Sequence, residues 1–327
     1  MTTIKPQRQS NPPRCEDLGR SPEGDAPDGT GDKLATIVAV AKRHWHRVHK
    51  WILRYRTLFS IAASALFFGG LAISFAVADF RWQSLALPQV LLILLVLGPL
   101  TIALAALSLQ VTAAAVGREV PFFTAFSVTA IANIAQLLPL PGGAMVRGAA
   151  LVKAGAKLGE SASIVTLTSS LTFFLAIAVS GIPLASAKPS AGYPVLAAGL
   201  IGSGFSLAPI VLRAGVKPAL AMIGVRLLVM AIGVIRFVVA FGAIGAELDP
   251  LDAAVFVVCA ALASTMTLVP AGLGVTETLA AAVALAVDIS PAVAFMAVAL
   301  NRALGIATSA IVVGGTFLAG KPAKKLM

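Results

Sequence analysis

The sequence predicts an all-α polytopic membrane protein of about six spanning helices plus two re-entrant helical hairpins, arranged as an inverted repeat. Three observations carry this. Of 327 residues, 58% are hydrophobic and 12% charged, with a mean hydropathy of +0.93, a balance that belongs to a polytopic chain rather than to a soluble domain. Two apolar stretches are interrupted by prolines and glycines: NIAQLLPLPGGAMVR at 133–147 and STMTLVPAGLGVTE at 264–277. The loop lysines and arginines segregate to one side only if both interrupted stretches return to the side they enter from.

Taken in order, residues 1–33 are rich in Pro, Gly, Asp and Arg and lack apolar periodicity, which predicts a disordered cytoplasmic tail. No signal peptide is read there, because the stretch is polar. Residues 34–56 place Trp45, Val48, Ile52 and Tyr55 on one helical face and crowd Lys and Arg onto the rest. That pattern predicts a basic amphipathic helix on the inner leaflet. His44, His46 and His49 have no nearby Cys or carboxylate, so they read as interfacial side chains and not as a metal site. The net charge of +11 reflects orientation-setting loops rather than a nucleic-acid partner. Cys15 and Cys259 lie in unlike segments, and no disulfide is expected.

Residues 57–320 form the predicted transmembrane domain, followed by a basic cytoplasmic tail at 321–327. Apolar spans are expected near 58–78, 88–116, 161–184, 192–212, 218–245 and 291–318, each close to the ~20 residues needed to cross the hydrocarbon. Gly98-Pro99 predicts a kink or tilt in the second. The interrupted segments, about 121–156 and 251–287, either cross once or dip in and return. With both returning and the N-terminus inside, Arg118, Lys153, Lys157, Arg213, Lys217, Lys321, Lys324 and Lys325 are cytoplasmic, while only Arg81 and Lys188 are outside, a split of 8 to 2. With both crossing, Lys153, Lys157, Arg213 and Lys217 move out and Lys188 moves in, giving 5 to 5. The positive-inside rule selects the first arrangement, with both termini cytoplasmic in the inner (plasma) membrane. Segments 88–184 and 218–318 then become repeats of opposite orientation, whose hairpin tips approach near the midplane.

The interruptions have a physical cause. Pro139, Pro141, Gly142 and Gly143 in the first segment, and Pro270, Gly272 and Gly274 in the second, forbid a continuous helix. Broken backbone at membrane depth needs cover from protein or a wet cavity. Arg147, Arg226, Arg236, Glu277 and Arg302 lie in the apolar segments, four positive charges against one negative. Arg226 is about eight residues into its span, close enough to the interface to snorkel, and is left out of the candidate site. The excess positive charge suits an anionic group such as a phosphate, held by Arg147, Arg236 and Arg302. Glu277 has two readings: a first-turn carboxylate that caps its helix and pairs with one arginine, or a gate that exchanges a proton. Asn133, Gln136 and Asn301 either hydrogen-bond the ligand or serve the unwound backbone. Thr166, Thr168, Ser169 and Ser170 read as helix–helix contacts.

Together these residues resemble the flippase-like transmembrane region of lysylphosphatidylglycerol synthases, a family that also includes stand-alone proteins without the aminoacyltransferase domain, some associated with hopanoid or glycolipid pathways. The resemblance spans about 55–320. Pro270, Gly272, Gly274, Glu277 and Arg302 match its second motif, and Gly142, Gly143 and Arg147 its first. Two departures stand out. TLTSSL occupies the place where many relatives carry an arginine and an acid. Only Gly320 to Met327 follow the last span, so lysyl transfer is not expected. The resemblance implies movement of an anionic or amphipathic lipid between leaflets, without synthesis.

Three function classes follow: a lipid translocase, a non-catalytic membrane partner that recruits a cytosolic lipid-pathway enzyme, and an intramembrane enzyme. The last is disfavoured, since all three histidines precede the first span and Glu277 is the only acid in the deep set. No Walker A sequence is present, so neither direct ATP use nor any other cofactor is expected.

Overall fold

The computed structural model describes residues 64–77, 85–136, 142–265 and 274–318, all of which belong to one unit of the chain, Ile52–Met327. Every regular element among them is helical. Several sequence expectations therefore lie outside the described residues: the tail at 1–33, the amphipathic helix at 34–56, the tail at 321–327, and Pro139, Pro141, Pro270 and Gly272.

Helix α1 is Ser64–Val77 and α2 is Leu87–Ala114. Pro88 starts α2, where a missing N–H costs nothing. The disturbance expected at Gly98-Pro99 takes the form of a π-helical turn at Ile93–Leu97. Pro99 cannot donate to the carbonyl one turn earlier, and the wider turn absorbs the mismatch. The first interrupted segment gives α3, Phe122–Ala135, and α4, Gly142–Lys153. Two long helices follow, α5 at Leu158–Ala187 and α6 at Pro189–Ala214, joined by Lys188 alone. Gly215, at φ +88°, makes the next turn, into α7 at Val216–Ala243. The second interrupted segment gives a short α8, Pro250–Ala253, then α9, Val255–Thr265, and α10, Val275–Ala284. Helix α11, Pro291–Leu318, closes the fold.

Five of these helices (α2, α5, α6, α7 and α11) are long and apolar enough to cross a membrane. They face outward with apolar side chains; Leu95 is 62% exposed, Phe205 77% and Leu212 86%. Of the six expected spans, these five end within three residues of the expected limits. Only Ser64–Val77 of the first span is described. The arms of the interrupted segments are shorter. At 1.5 Å per residue, α3 reaches about 21 Å and α4 about 18 Å, less than the ~30 Å of hydrocarbon.

The packing pairs elements in a reciprocal way. Helices α2 and α7 pack together and run antiparallel: the Ala86 N–H donates to the Ala243 carbonyl at 2.9 Å, and Arg236 reaches Thr101 further along. The arm α3 packs on α11, and the corresponding arm α9 packs on α5. Likewise α4 lies against α5, and α10 against α11. Exchanging α2, α3, α4 and α5 with α7, α9, α10 and α11 thus reproduces the set of neighbours. The core between α7 and α9 is aromatic, with the Phe241 and Phe256 ring centres 5.2 Å apart.

Gly142 and Gly143 lie in the first turn of α4, not in the break itself. Their role is close approach. A Cβ on Gly142 would collide with the Ala135 carbonyl of α3, and one on Gly143 would lie 2.8 Å from Gln136 Cγ. Gly142→Ala should therefore destabilise the detergent-purified protein by about 1–3 kcal/mol, read as a lowered unfolding midpoint. Gly204→Ala on α6, where nothing lies within 4 Å of the new Cβ, should leave it unchanged or slightly raised. Equal midpoints for both variants would show that the α3–α4 contact is loose.

Candidate functional site

Helices α2, α3, α4, α5, α7, α9, α10 and α11 enclose a cavity of about 660 Å³. Four arginines line it: Arg147 from α4, Arg226 and Arg236 from α7, and Arg302 from α11. Asn133, Gln136 and Asn301 line it too, so six of the seven expected binding residues converge on one space. The seventh, Glu277, sits behind the wall.

Glu277 is fully buried, and both its oxygens are used. It is the third residue of α10, so one oxygen reaches back to the start of its own helix. The Gly274 N–H donates to Oε2 at 2.9 Å, with Gly274 at φ +78°. The other oxygen, Oε1, accepts from Arg302 Nη1 at 2.7 Å, while Arg302 Nη2 donates to Thr276 Oγ1 at 3.0 Å. Of the two readings of Glu277, this geometry is that of the cap and ion pair.

Among the described residues, Arg236 has only neutral partners. Its Nε donates to Asn301 Oδ1 at 3.1 Å, Nη2 to the Asn301 carbonyl at 3.0 Å, and Nη1 to Thr101 Oγ1 at 3.4 Å. Asn301 therefore serves an arginine, and Asn133 donates to Ser309 Oγ on α11 at 3.4 Å. Neither contact is to unwound backbone. Arg147 and Arg226 make no hydrogen bond or ion pair among the described residues, and Arg226 Nε is buried without a partner. Among the described residues the lining thus carries four guanidinium groups and no carboxylate, and Glu277 answers one of the four from behind the wall.

Arg226, left out of the candidate site on its sequence position, lines the same cavity as the other three arginines. Sequence position placed it near an interface, but the orientation of α7 turns it inward. Two polar faces were also missed. Gly98, Thr101, Ala105, Ser108 and Thr112 recur at helical spacing along α2, and all line the cavity. Thr166, Thr168, Ser169 and Ser170 on α5 line it as well. The hydroxyls of Thr166 and Thr168 donate to carbonyls of their own helix, at Ala162 and Val165, and so do not tie helices together. On α2 the missed signal was a 3.6-residue repeat of small residues, three of them hydroxyl-bearing, within an otherwise apolar helix.

Searches against protein-family models, curated proteins and solved structures find no match to this chain. The site therefore has to be interpreted from its own chemistry.

Removing Glu277 alone would leave Arg302 without its carboxylate in an apolar bundle and would free the Gly274 N–H. Glu277→Gln should cost about 3 kcal/mol of stability. Arg302→Gln in the same chain should recover part of that loss. A double-mutant cycle by denaturant unfolding in detergent measures the coupling, and additive effects would mean the pair contributes nothing of its own.

Proposed function

We propose that the protein is a non-ATP-driven lipid translocase, in which an anionic headgroup enters the arginine-lined cavity while its acyl chains stay in the bilayer. The observation that carries this is the charge around the cavity: four guanidinium groups line it inside a bundle of apolar helices, and one buried carboxylate behind the wall pairs with one of them. Each buried cation costs several kcal/mol unless something answers it. An anion that visits the cavity does so, and a lipid headgroup is the anion a membrane supplies.

The proposal includes a topology. The arms α3–α4 and α9–α10 enter from opposite leaflets and return, so that the two repeats are inverted. Three observations support it: the short arms, the antiparallel packing of α2 on α7, and the reciprocal neighbours of the two halves. Rocking of one half against the other would expose the cavity alternately to each leaflet. The resemblance of the two motifs to the flippase-like region of lysylphosphatidylglycerol synthases agrees with this reading. So does the absence of a Walker A sequence.

Two measurements test it. With single cysteines at 153 and 217, both should react with impermeant reagents only from the cytoplasmic face. Labelling of either from the outer face would overturn the hairpin topology. In proteoliposomes with leaflet-resolved lipid probes, Arg147→Ala, Arg236→Ala and Arg302→Ala should each slow transfer at least about tenfold, the loss expected from one charge-assisted contact. Transfer at the wild-type rate in all three would remove the arginines from the mechanism.

A further inference from the structure

The four arginines are not equivalent, and their differences define a subsite. Arg302 is matched by Glu277, and Arg236 is fixed by Asn301 and Thr101. Those two guanidinium groups are already oriented. Arg147 and Arg226 differ: both face the cavity, and neither has a hydrogen-bond or ion-pair partner among the described residues. They come from separate elements, α4 beside the first break and α7, and line the same cavity. Two like charges facing one space repel unless a ligand comes between them.

The geometry points to Arg147 and Arg226 as a two-arginine clamp for a terminal phosphate, a phosphomonoester in its dianionic form. This rests on the proposed anion-binding role of the cavity and narrows the anion. Each guanidinium presents a planar fork of N–H donors that fits phosphate oxygens two at a time. Two forks match a group with three terminal oxygens and about two negative charges, which a phosphomonoester carries near neutral pH. A phosphodiester, with one charge and two free oxygens, would leave one of the two arginines unanswered. The oriented pair, Arg236 and Arg302, would border the clamp without belonging to it.

The same chemistry could arrive as a lipid headgroup or as free phosphate, and the test separates them. The full chain, purified into nanodiscs of phosphatidylcholine, is titrated with short-chain phosphatidate, short-chain phosphatidylglycerol and inorganic phosphate, with binding read by native mass spectrometry. Phosphatidate should bind at least about tenfold more tightly than phosphatidylglycerol. Arg226→Gln and Arg147→Gln should each remove that preference, and Arg226→Lys should restore only part of it, since an ammonium lacks the fork. Gly204→Ala serves as a neutral control.

Equal binding of phosphatidate and phosphatidylglycerol by the wild type would overturn the clamp, as would an Arg226→Gln variant that folds and keeps the preference. Should the glutamine variants fail to fold, Arg226→Lys alone decides, and an unchanged preference in it counts against the clamp. Binding of inorganic phosphate as tight as that of phosphatidate would uphold the clamp and assign it a soluble anion. Leaflet transfer is scored separately. Selective binding without transfer would sink the translocase reading and leave the clamp standing; transfer without selectivity would do the reverse.

Discussion

A guanidinium group inside an apolar helix bundle has to be answered, and the rest of this structure follows from how four of them are answered. Carboxylates are scarce among the described residues around the cavity, and the arginines are answered in different ways. Arg302 takes Glu277, whose other oxygen is already committed to the start of α10. That arrangement couples a helix start to an ion pair: the break at Gly274 supplies a free N–H, the carboxylate caps it, and the capped carboxylate pairs with the arginine. Arg236 instead takes neutral oxygens from Asn301 and Thr101, which answer three of its five N–H donors but not its charge. Arg147 and Arg226 are left to the cavity.

The breaks and the charges are one feature. An uninterrupted helix turns its backbone groups inward on themselves and offers a cavity only side chains. An interrupted one brings free backbone groups and helix starts to the same depth. In this fold α3 ends with Asn133 and Gln136 at the cavity, α4 begins there with Gly142 and Gly143, and Arg147 follows one turn later. The first break can pack closely because α4 starts with two residues that lack a Cβ, which lets it approach the Ala135 carbonyl. The second break delivers Thr276 to the same cavity. Both interrupted segments therefore contribute to a single space although they are far apart in sequence.

Much of this was legible in the residues. The long apolar runs gave five helices to within a few residues, because length and hydropathy are one-dimensional properties. The convergence of Arg147, Arg236 and Arg302 was legible because buried charge is too costly to scatter. Arg226 was not, since its distance from a span end says nothing about which way α7 faces. The polar stripe of α2 was hidden for a different reason. Thr101, Ser108 and Thr112 are small, and each can hydrogen-bond the carbonyl one turn back, as Thr101 does to Leu97 and Thr112 to Ser108. A residue that satisfies itself leaves little trace in hydropathy, and only its periodicity reveals a shared face. Gly142 and Gly143 looked like part of a break because glycine disfavours helices, but tertiary contact with α3 outweighed that preference.

The way the helices are joined also limits where the bundle can give. Helices α5 and α6 form a close antiparallel pair. Added Cβ atoms on Gly181, Gly192 and Gly199 would strike Leu196, Ala185 and Ala178, a constant register across the interface. Such packing of backbone on backbone resists sliding. Two of the contacts between the halves are of another kind. Among the described residues, α3 is tied to α11 by the Asn133–Ser309 hydrogen bond, and α5 meets the start of α9 where Ser180 donates to the carbonyls of Ala254, just before that helix, at 3.0 Å and of Val255 at 3.4 Å. A single hydrogen bond of this type contributes about 1 kcal/mol, small beside a helix interface. If one half moves against the other, the displacement falls on these two seams and on the packing of α2 against α7 and α11. Both seams flank the cavity, so any slip there changes access to the arginines while the α5–α6 pair and the Glu277–Arg302 bridge keep their geometry.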